Sequence, residues 1–137
     1  RRLYSYEGER MITLNLLKLL ENNGFGKINK NLFWQKLGLG KTGLYISNIS
    51  VNGERGKRKV QHYEIFSIGE NDIDGLKKLE SVAEFLRKNY AINELPAVDG
   101  VCKKVRNVAI MPPSTISNVG ENSQGRVVYS ISGEIIY

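Results

Sequence analysis

The stretch Lys59–Tyr90, KVQHYEIFSIGENDIDGLKKLESVAEFLRKNY, passes from strand periodicity to helix periodicity across one short polar break. Val60, Tyr63, Ile65, Phe66 and Ile68 form an apolar run of strand length, rich in aromatic and β-branched residues, which predicts cover on both faces of its middle. Gly69-Glu70-Asn71-Asp72 ends it. Asn71 or Asp72 can cap the free N–H groups of a following helix, and Asp72 and Asp74 lie where the helix dipole favours negative charge. Beyond them Leu76, Leu79, Val82, Ala83, Phe85, Leu86 and Tyr90 recur at three- and four-residue intervals, with Lys77, Lys78, Glu80, Glu84, Arg87 and Lys88 on the other side. One stripe should pack on a sheet while the other meets water. Burying a Leu or Phe from it is worth roughly 1.5 to 3 kcal/mol, so the stripe rather than helix propensity should hold the helix.

Outward from this unit, the N-terminal side opens with residues 1–10, RRLYSYEGER, which show neither periodicity nor a capping pattern. They predict an extended or poorly ordered arm, with Met11 a candidate internal start. MITLNLLKLLENNG predicts a first helix over 12–23, with Thr13 as N-cap and Gly24 ending it in a left-handed conformation. A strand is expected near 31–36. GLGKTG, with Gly38, Gly40 and Gly43 around Lys41 and Thr42, lacks the first glycine of a phosphate-cradling loop, because Gln35 stands four places before Gly40, so it reads as a turn. Leu44–Val51 is strand-like, with Asn48 a candidate bulge, and Asn52-Gly53 is a turn signal. Residues 44–51 and 59–68 should therefore form an antiparallel hairpin with a basic tip.

On the C-terminal side, 91–100 reads as a loop whose Pro96 cannot continue the helix. Val101–Met111 resumes a strand pattern up to Pro112-Pro113, which force the chain off the sheet or along its edge. A short extended piece at 116–119 and the turn GENSQG lead to the terminal strand 126–137. There Val127, Tyr129, Ile131, Ile135 and Tyr137 share a face with Gly133, and Ser130, Ser132 and Glu134 form a wet face. The expectation is one α+β domain over residues 11–137, a mainly antiparallel sheet with two helices packed on one face in the order α-β-β-β-α-β-β.

Hydrophobic residues at 41% and charged residues at 25% are ordinary globular values, which sets wholesale disorder aside. One cysteine, Cys102, permits no internal disulfide and sits in no metal-binding pattern. Nothing approaches the roughly 20 apolar residues of a membrane span. His62, the only histidine, lies mid-strand beside Glu64, and no serine motif is placed near it, so no catalytic constellation, cofactor site or small-molecule site is expected. The net charge of +6 is concentrated in Arg55, Lys57, Arg58 and Lys59, in Lys103, Lys104 and Arg106, and in the leader. Such runs are either solvated loops or contacts to an anionic partner.

The leucine-rich first helix, the LFWQKL segment, the GLYISN strand, QHYEIFSIGENDIDG feeding a long helix, and the ending MPPSTISNVGENSQGRVVYSISGEIIY together resemble the tail-terminator and tail-completion proteins of long-tailed bacteriophages, a minor capsid protein family, over roughly residues 11–137. The resemblance implies a virion protein of the tail neck, made in the host cytoplasm. It would assemble as a hexameric ring on the head-proximal end of the tail tube, stop tube growth and present a surface to the head-tail connector or stopper protein. Heterologous ring contacts need apolar or extended surface beyond the core, for which Leu16, Leu19, Tyr63, Ile65 and Ile136 are candidates. Arg55, Lys57, Arg58 and Lys59 at the hairpin tip could face the tube, the connector or passing DNA. Reversing Arg55, Lys57 and Arg58 to Glu is expected to spare folding and weaken assembly. The alternatives are another neck protein, a connector or stopper, and a basic nucleic-acid-binding module.

Overall fold

The computed structural model describes residues 11–37, 40–56 and 58–137, with backbone alone at 50–55, 91 and 93. The expected N-terminal arm, Lys57 and part of the GLGKTG turn lie outside the described residues. Among those described, the elements are α1 (Ile12–Asn22), β1 (Leu32–Trp34), β2 (Gly43–Arg55), β3 (Arg58–Ile68), α2 (Asp72–Lys88), β4 (Ala91–Leu95), β5 (Val105–Ile110), β6 (Ser117–Glu121) and β7 (Val127–Ile136). They build a seven-stranded, mostly antiparallel sheet in the order β1-β2-β3-β7-β5-β4, with β6 also pairing β7. The fold is α+β, and the expected element order holds with two short strands, β4 and β6, added.

The β3-α2 unit forms as its periodicity dictates. Tyr63 and Ile65 are buried on the inner face of β3, and Leu79, Val82, Ala83 and Leu86 are fully buried from α2. Asn71 is the N-cap, its Oδ1 accepting from the Asp74 N–H at 2.9 Å, and Asp72 and Asp74 occupy the first turn. Tyr90 leaves the stripe because α2 ends at Lys88, and it is 53% exposed. Gly69 serves the junction in a second way: a Cβ there would lie 2.4 Å from the backbone nitrogen of Gly75, so its missing side chain lets the first turn of α2 return against the strand end. Ser67 Oγ fastens this contact by donating to the Gly75 carbonyl at 2.8 Å.

Both helices lie on the same face. In the β2-β3-β7 register Ile46 opposes Ile65 and Ile65 opposes Ile131, so these share the inner face with Asn48, Tyr63 and Ser67. Ser67 binds α2, while Asn48 binds α1 through Thr13. Phe25, in the turn after α1, packs on Phe85 of α2 at a centroid distance of 5.4 Å. Leu14, Leu16, Leu17 and Leu20 of α1 join the same core, which accounts for the surplus of leucine in that helix.

Thr13 is not the N-cap of α1. Met11 holds that position without a side-chain bond, and the Thr13 hydroxyl lies fully buried in the helix, donating to Asn48 Oδ1 at 2.6 Å and accepting from Trp34 Nε1–H at 2.8 Å. A long-range polar triad has outcompeted the local cap. Asn15, also buried, donates to the carbonyls of Pro96 and Lys103, each at 2.8 Å, and so ties α1 to the β4-β5 connection. Gly24 ends the helix at φ +85°, as expected.

The β2-β3 hairpin forms, but its turn is not at Asn52-Gly53. β2 continues through two register irregularities, one immediately after Asn48, and the chain reverses between Arg55 and Arg58, with Gly56 at φ +61°. The extra bulge residues carry the Asn-Gly pair into the strand, and the glycine at 56 accepts the left-handed turn conformation instead. The loop expected at 91–100 contains β4, whose pairing with β5 overrides weak strand propensity. After β5 the proline pair does not release the chain. Met111 and Ser114 donate to the carbonyls of Glu134 and Ser132, so this segment runs along the edge of β7 until β6 begins. In β7, Ile131 and Ile135 face the core; Ser130, on the opposite face, is itself only 4% exposed between Phe66 and Ser117.

Candidate functional site

Two basic runs that are far apart in sequence meet at one end of the sheet. β3 opens beside the end of β7: Val60 pairs Ile136, and Lys59 and Tyr137 exchange both backbone bonds, Lys59 N–H to Tyr137 O at 2.6 Å and the reverse at 2.9 Å. β5 joins the same end of β7 with Ala109 opposite Ile136, so antiparallel geometry places Val105–Asn107 beyond the end of β7. The Arg58 guanidinium spans this corner, donating to the Asn107 carbonyl and, at 3.4 Å, to the Ile136 carbonyl. Arg106 lies in β5 next to Asn107, and Lys103 and Lys104 immediately precede the strand; all three are exposed, as are Arg58 and Lys59. Arg106 faces Glu94 across β4 at 3.9 Å with 70% of its side chain accessible, an exposed pair worth about 0 to 1 kcal/mol.

The structure thus brings Arg58 and Lys59 together with a cluster that the sequence places separately. Of the other hairpin candidates, Arg55 is described by backbone alone, and Lys57 is outside the described residues. The signal for the composite site was available only in part: Lys-Lys-x-Arg before a strand marks a basic strand entry, but nothing local says which other strand end lies beside it.

The subunit-interface candidates separate on burial. Leu16 and Tyr63 are 0% exposed and Ile65 is 1% exposed, so these three are used by the chain's own core and cannot meet a neighbour. Their apolar character signalled a core position, which sequence pattern does not distinguish from surface stickiness. Leu19 is half-buried against the core, and Ile136 is half-buried on the opposite face of β7.

That opposite face carries no helix among the described residues. His62 Nε2 lies 2.9 Å from Glu134 Oε2, the two side chains 37% and 24% exposed, and Glu64 stands opposite Ser47 on one side and Ser132 on the other. The histidine is a cross-strand partner of Glu134. Ser132 and Ser114 are engaged with each other: Ser114 Oγ accepts the Ser132 N–H at 3.0 Å and lies 3.3 Å from Ser132 Oγ. Tyr45 stacks on Phe66 at 4.6 Å, and burial, then the Glu64 charge, raises its phenol above the ordinary value. The result is a polar, partly aromatic plane rather than a cleft.

Near the GLGKTG turn an open depression of about 330 Å³ is lined by Lys36, Lys41, Tyr45, Asn122 and Gln124. A phosphate-cradling loop presents its amides from the start of a helix, whereas Lys41-Thr42 lead directly into strand β2. Thr42 Oγ1 contacts Glu70 Oε2 at 3.3 Å. Among the described residues no group of three or more His, Cys, Asp or Glu side chains is placed to hold a metal ion, and no helix is long and apolar enough to cross a membrane. No protein-family model matches the chain, and no curated protein matches it.

Proposed function

We propose that this chain is a structural virion protein of the tail-terminator type. In this reading it closes the head-proximal end of a bacteriophage tail tube as a ring, through shape rather than reactive groups, and offers the joining surface to a connector or stopper protein. The observation that carries the reading is the one-sided sheet: both helices cover one face, while among the described residues no helix covers the His62–Glu134, Glu64 and Tyr45–Phe66 face. A ring subunit meets its neighbour through two different patches and needs accessible surface of this kind in addition to its core. The edges point the same way, since among the described residues β1 covers only Leu44–Ile46 of β2, and β6 pairs β7 on one side. The resemblance in the order of sequence segments supplies the identity of the assembly.

The test is to locate the tagged protein in purified particles by electron microscopy, alongside the mass of the purified protein with and without tail tubes. Density at the neck and a ring that forms alone or on tube ends are expected. A subunit seated anywhere else in its natural particle, or a bound substrate in a cleft, refutes the proposal.

A further inference from the structure

We infer that the corner where β3, β5 and β7 meet is a nucleic-acid backbone site, formed by Arg58, Lys59, Lys103, Lys104 and Arg106. The inference does not depend on ring formation, because a single chain carries all five side chains.

Three observations support it. First, the corner is assembled by the fold: Arg58 bonds two carbonyls, one from β5 and one from β7, which holds its charge in a fixed place instead of on a free arm. Second, the cations are exposed; in the sheet register Glu94 stands opposite Arg106, 3.9 Å away, and Glu54 stands opposite Lys59, so five cations meet two register-paired acidic residues. Third, Arg58 and Lys59 open β3, Arg106 lies at the start of β5, and Arg58 meets backbone carbonyls rather than apolar side chains. A tight contact with an acidic protein is normally anchored by buried aromatic or aliphatic side chains, while phosphates need only positive charge at repeated positions. Contacts of this kind fix a nucleic acid in place without reading its sequence.

The test uses the full chain and a fluorescently labelled random-sequence DNA duplex, with binding followed by anisotropy as salt is raised. Each phosphate contact contributes about 0.9 to the slope of log affinity against log salt, so K103A/K104A should flatten the slope by about 1.8. The control K77A/K88A, which removes the same charge from the exposed side of α2, should leave the slope as in the parent. Both variants change only exposed side chains, and the Lys103 carbonyl that receives Asn15 is untouched, so equal thermal melts should confirm equal folding. An unchanged slope in K103A/K104A overturns the inference. So does an equal loss in the control, which would make the effect one of net charge. Displacement of the duplex by polyglutamate more readily than by unlabelled DNA also overturns it, by identifying an acidic protein as the partner.

Discussion

Removing the Tyr63 hydroxyl should not weaken this protein. Tyr63 is completely buried at the centre of β3, directly opposite Gly133 of β7, and its hydroxyl has no hydrogen-bond partner among the described residues. A buried hydroxyl left without a partner costs about 1 to 3 kcal/mol in lost hydration, and the one oxygen contributes little packing in return. Tyr63→Phe should therefore raise stability by about 1 kcal/mol. Gly133→Ala should do the reverse. A Cβ at 133 would sit 2.7 Å from the Tyr63 hydroxyl oxygen, 2.9 Å from Cζ and 3.1 Å from Cε2, so the ring lies over the glycine and fills the space a side chain would need. Overpacking of this kind costs about 1 to 3 kcal/mol. In the double variant the closest contact is gone but the one to Cζ remains, so recovery should be partial, with a coupling of about 0.5 kcal/mol or more.

Urea unfolding measures all three variants as shifts in midpoint at constant slope. The phenol also sets an alkaline signature. Burial raises its pKa far above the ordinary value of 10.0, so the folded chain keeps the proton where the unfolded chain has lost it. The stabilisation is complete below about pH 10 and declines as pH rises above it. Tyr63→Phe should remove this phenol's share of the alkaline decline, leaving the smaller share of Tyr45. A Tyr63→Phe variant less stable than the parent by more than about 1 kcal/mol would refute the reasoning, since that is the loss expected of a hydroxyl with a real partner.

Three further outcomes follow from single contacts. Asn71→Ala deletes the side-chain cap of α2 and should cost about 1 kcal/mol in urea unfolding. Gly69→Ala should cost about 3 kcal/mol or more, because its Cβ would strike the backbone of Gly75 and Asn71, which no side-chain rotation can relieve; amide exchange should show α2 opening early in this variant. Glu21 has its pKa lowered first by the Lys18 hydrogen bond and then by the Ile28 N–H, so its stabilisation is present above the ordinary value of 4.5 and is lost as pH falls below it. Glu21→Gln should flatten the acid side of a melting-temperature profile, and an unaltered profile would show that the pair contributes nothing.

The parts of the fold legible in the sequence are those set by local period. The apolar stripe of α2, its Asn71 cap, the alternation of Ile131 and Ile135 in β7 and the pairing of 44–51 with 59–68 all follow from spacing between near neighbours. What was illegible depends on partners distant in the chain. Thr13 has the chemistry of a cap, but Asn48 and Trp34 offer its hydroxyl a buried alternative. Asn52-Gly53 has the chemistry of a turn, but the bulges move the reversal to Gly56. β4 is held by β5 rather than by its own composition. The same limit applies to the candidate site: the lysines and arginines were visible as two runs, while their meeting depends on β5 and β3 flanking the same end of β7.

That meeting also changes what a charge reversal at the hairpin can test. The sequence alone puts Arg58 at a hairpin tip, where its reversal together with Arg55 and Lys57 is expected to spare folding. In the structure it latches β3 to β5 and β7, and one of its acceptors belongs to Asn107, a non-glycine residue held at φ +58°. Hydrogen bonds from a charged donor are worth about 1.5 to 3 kcal/mol when protected, and solvent at this exposed corner reduces that to about 1 kcal/mol. Arg58→Glu removes the Nη2 group that donates to both carbonyls and sets a negative charge against them, so it should destabilise the corner as well as reverse its charge. Lys103→Glu and Lys104→Glu change charge without touching the latch. If Arg58 acts only as surface charge, its reversal and theirs will lower DNA affinity alike and leave the urea midpoint fixed. If it is a latch, Arg58→Glu alone will lower the midpoint and speed amide exchange in β5 at Val108 and Ile110, while Arg58→Lys, which restores the charge but not the two-carbonyl reach, will recover the salt slope more fully than the stability.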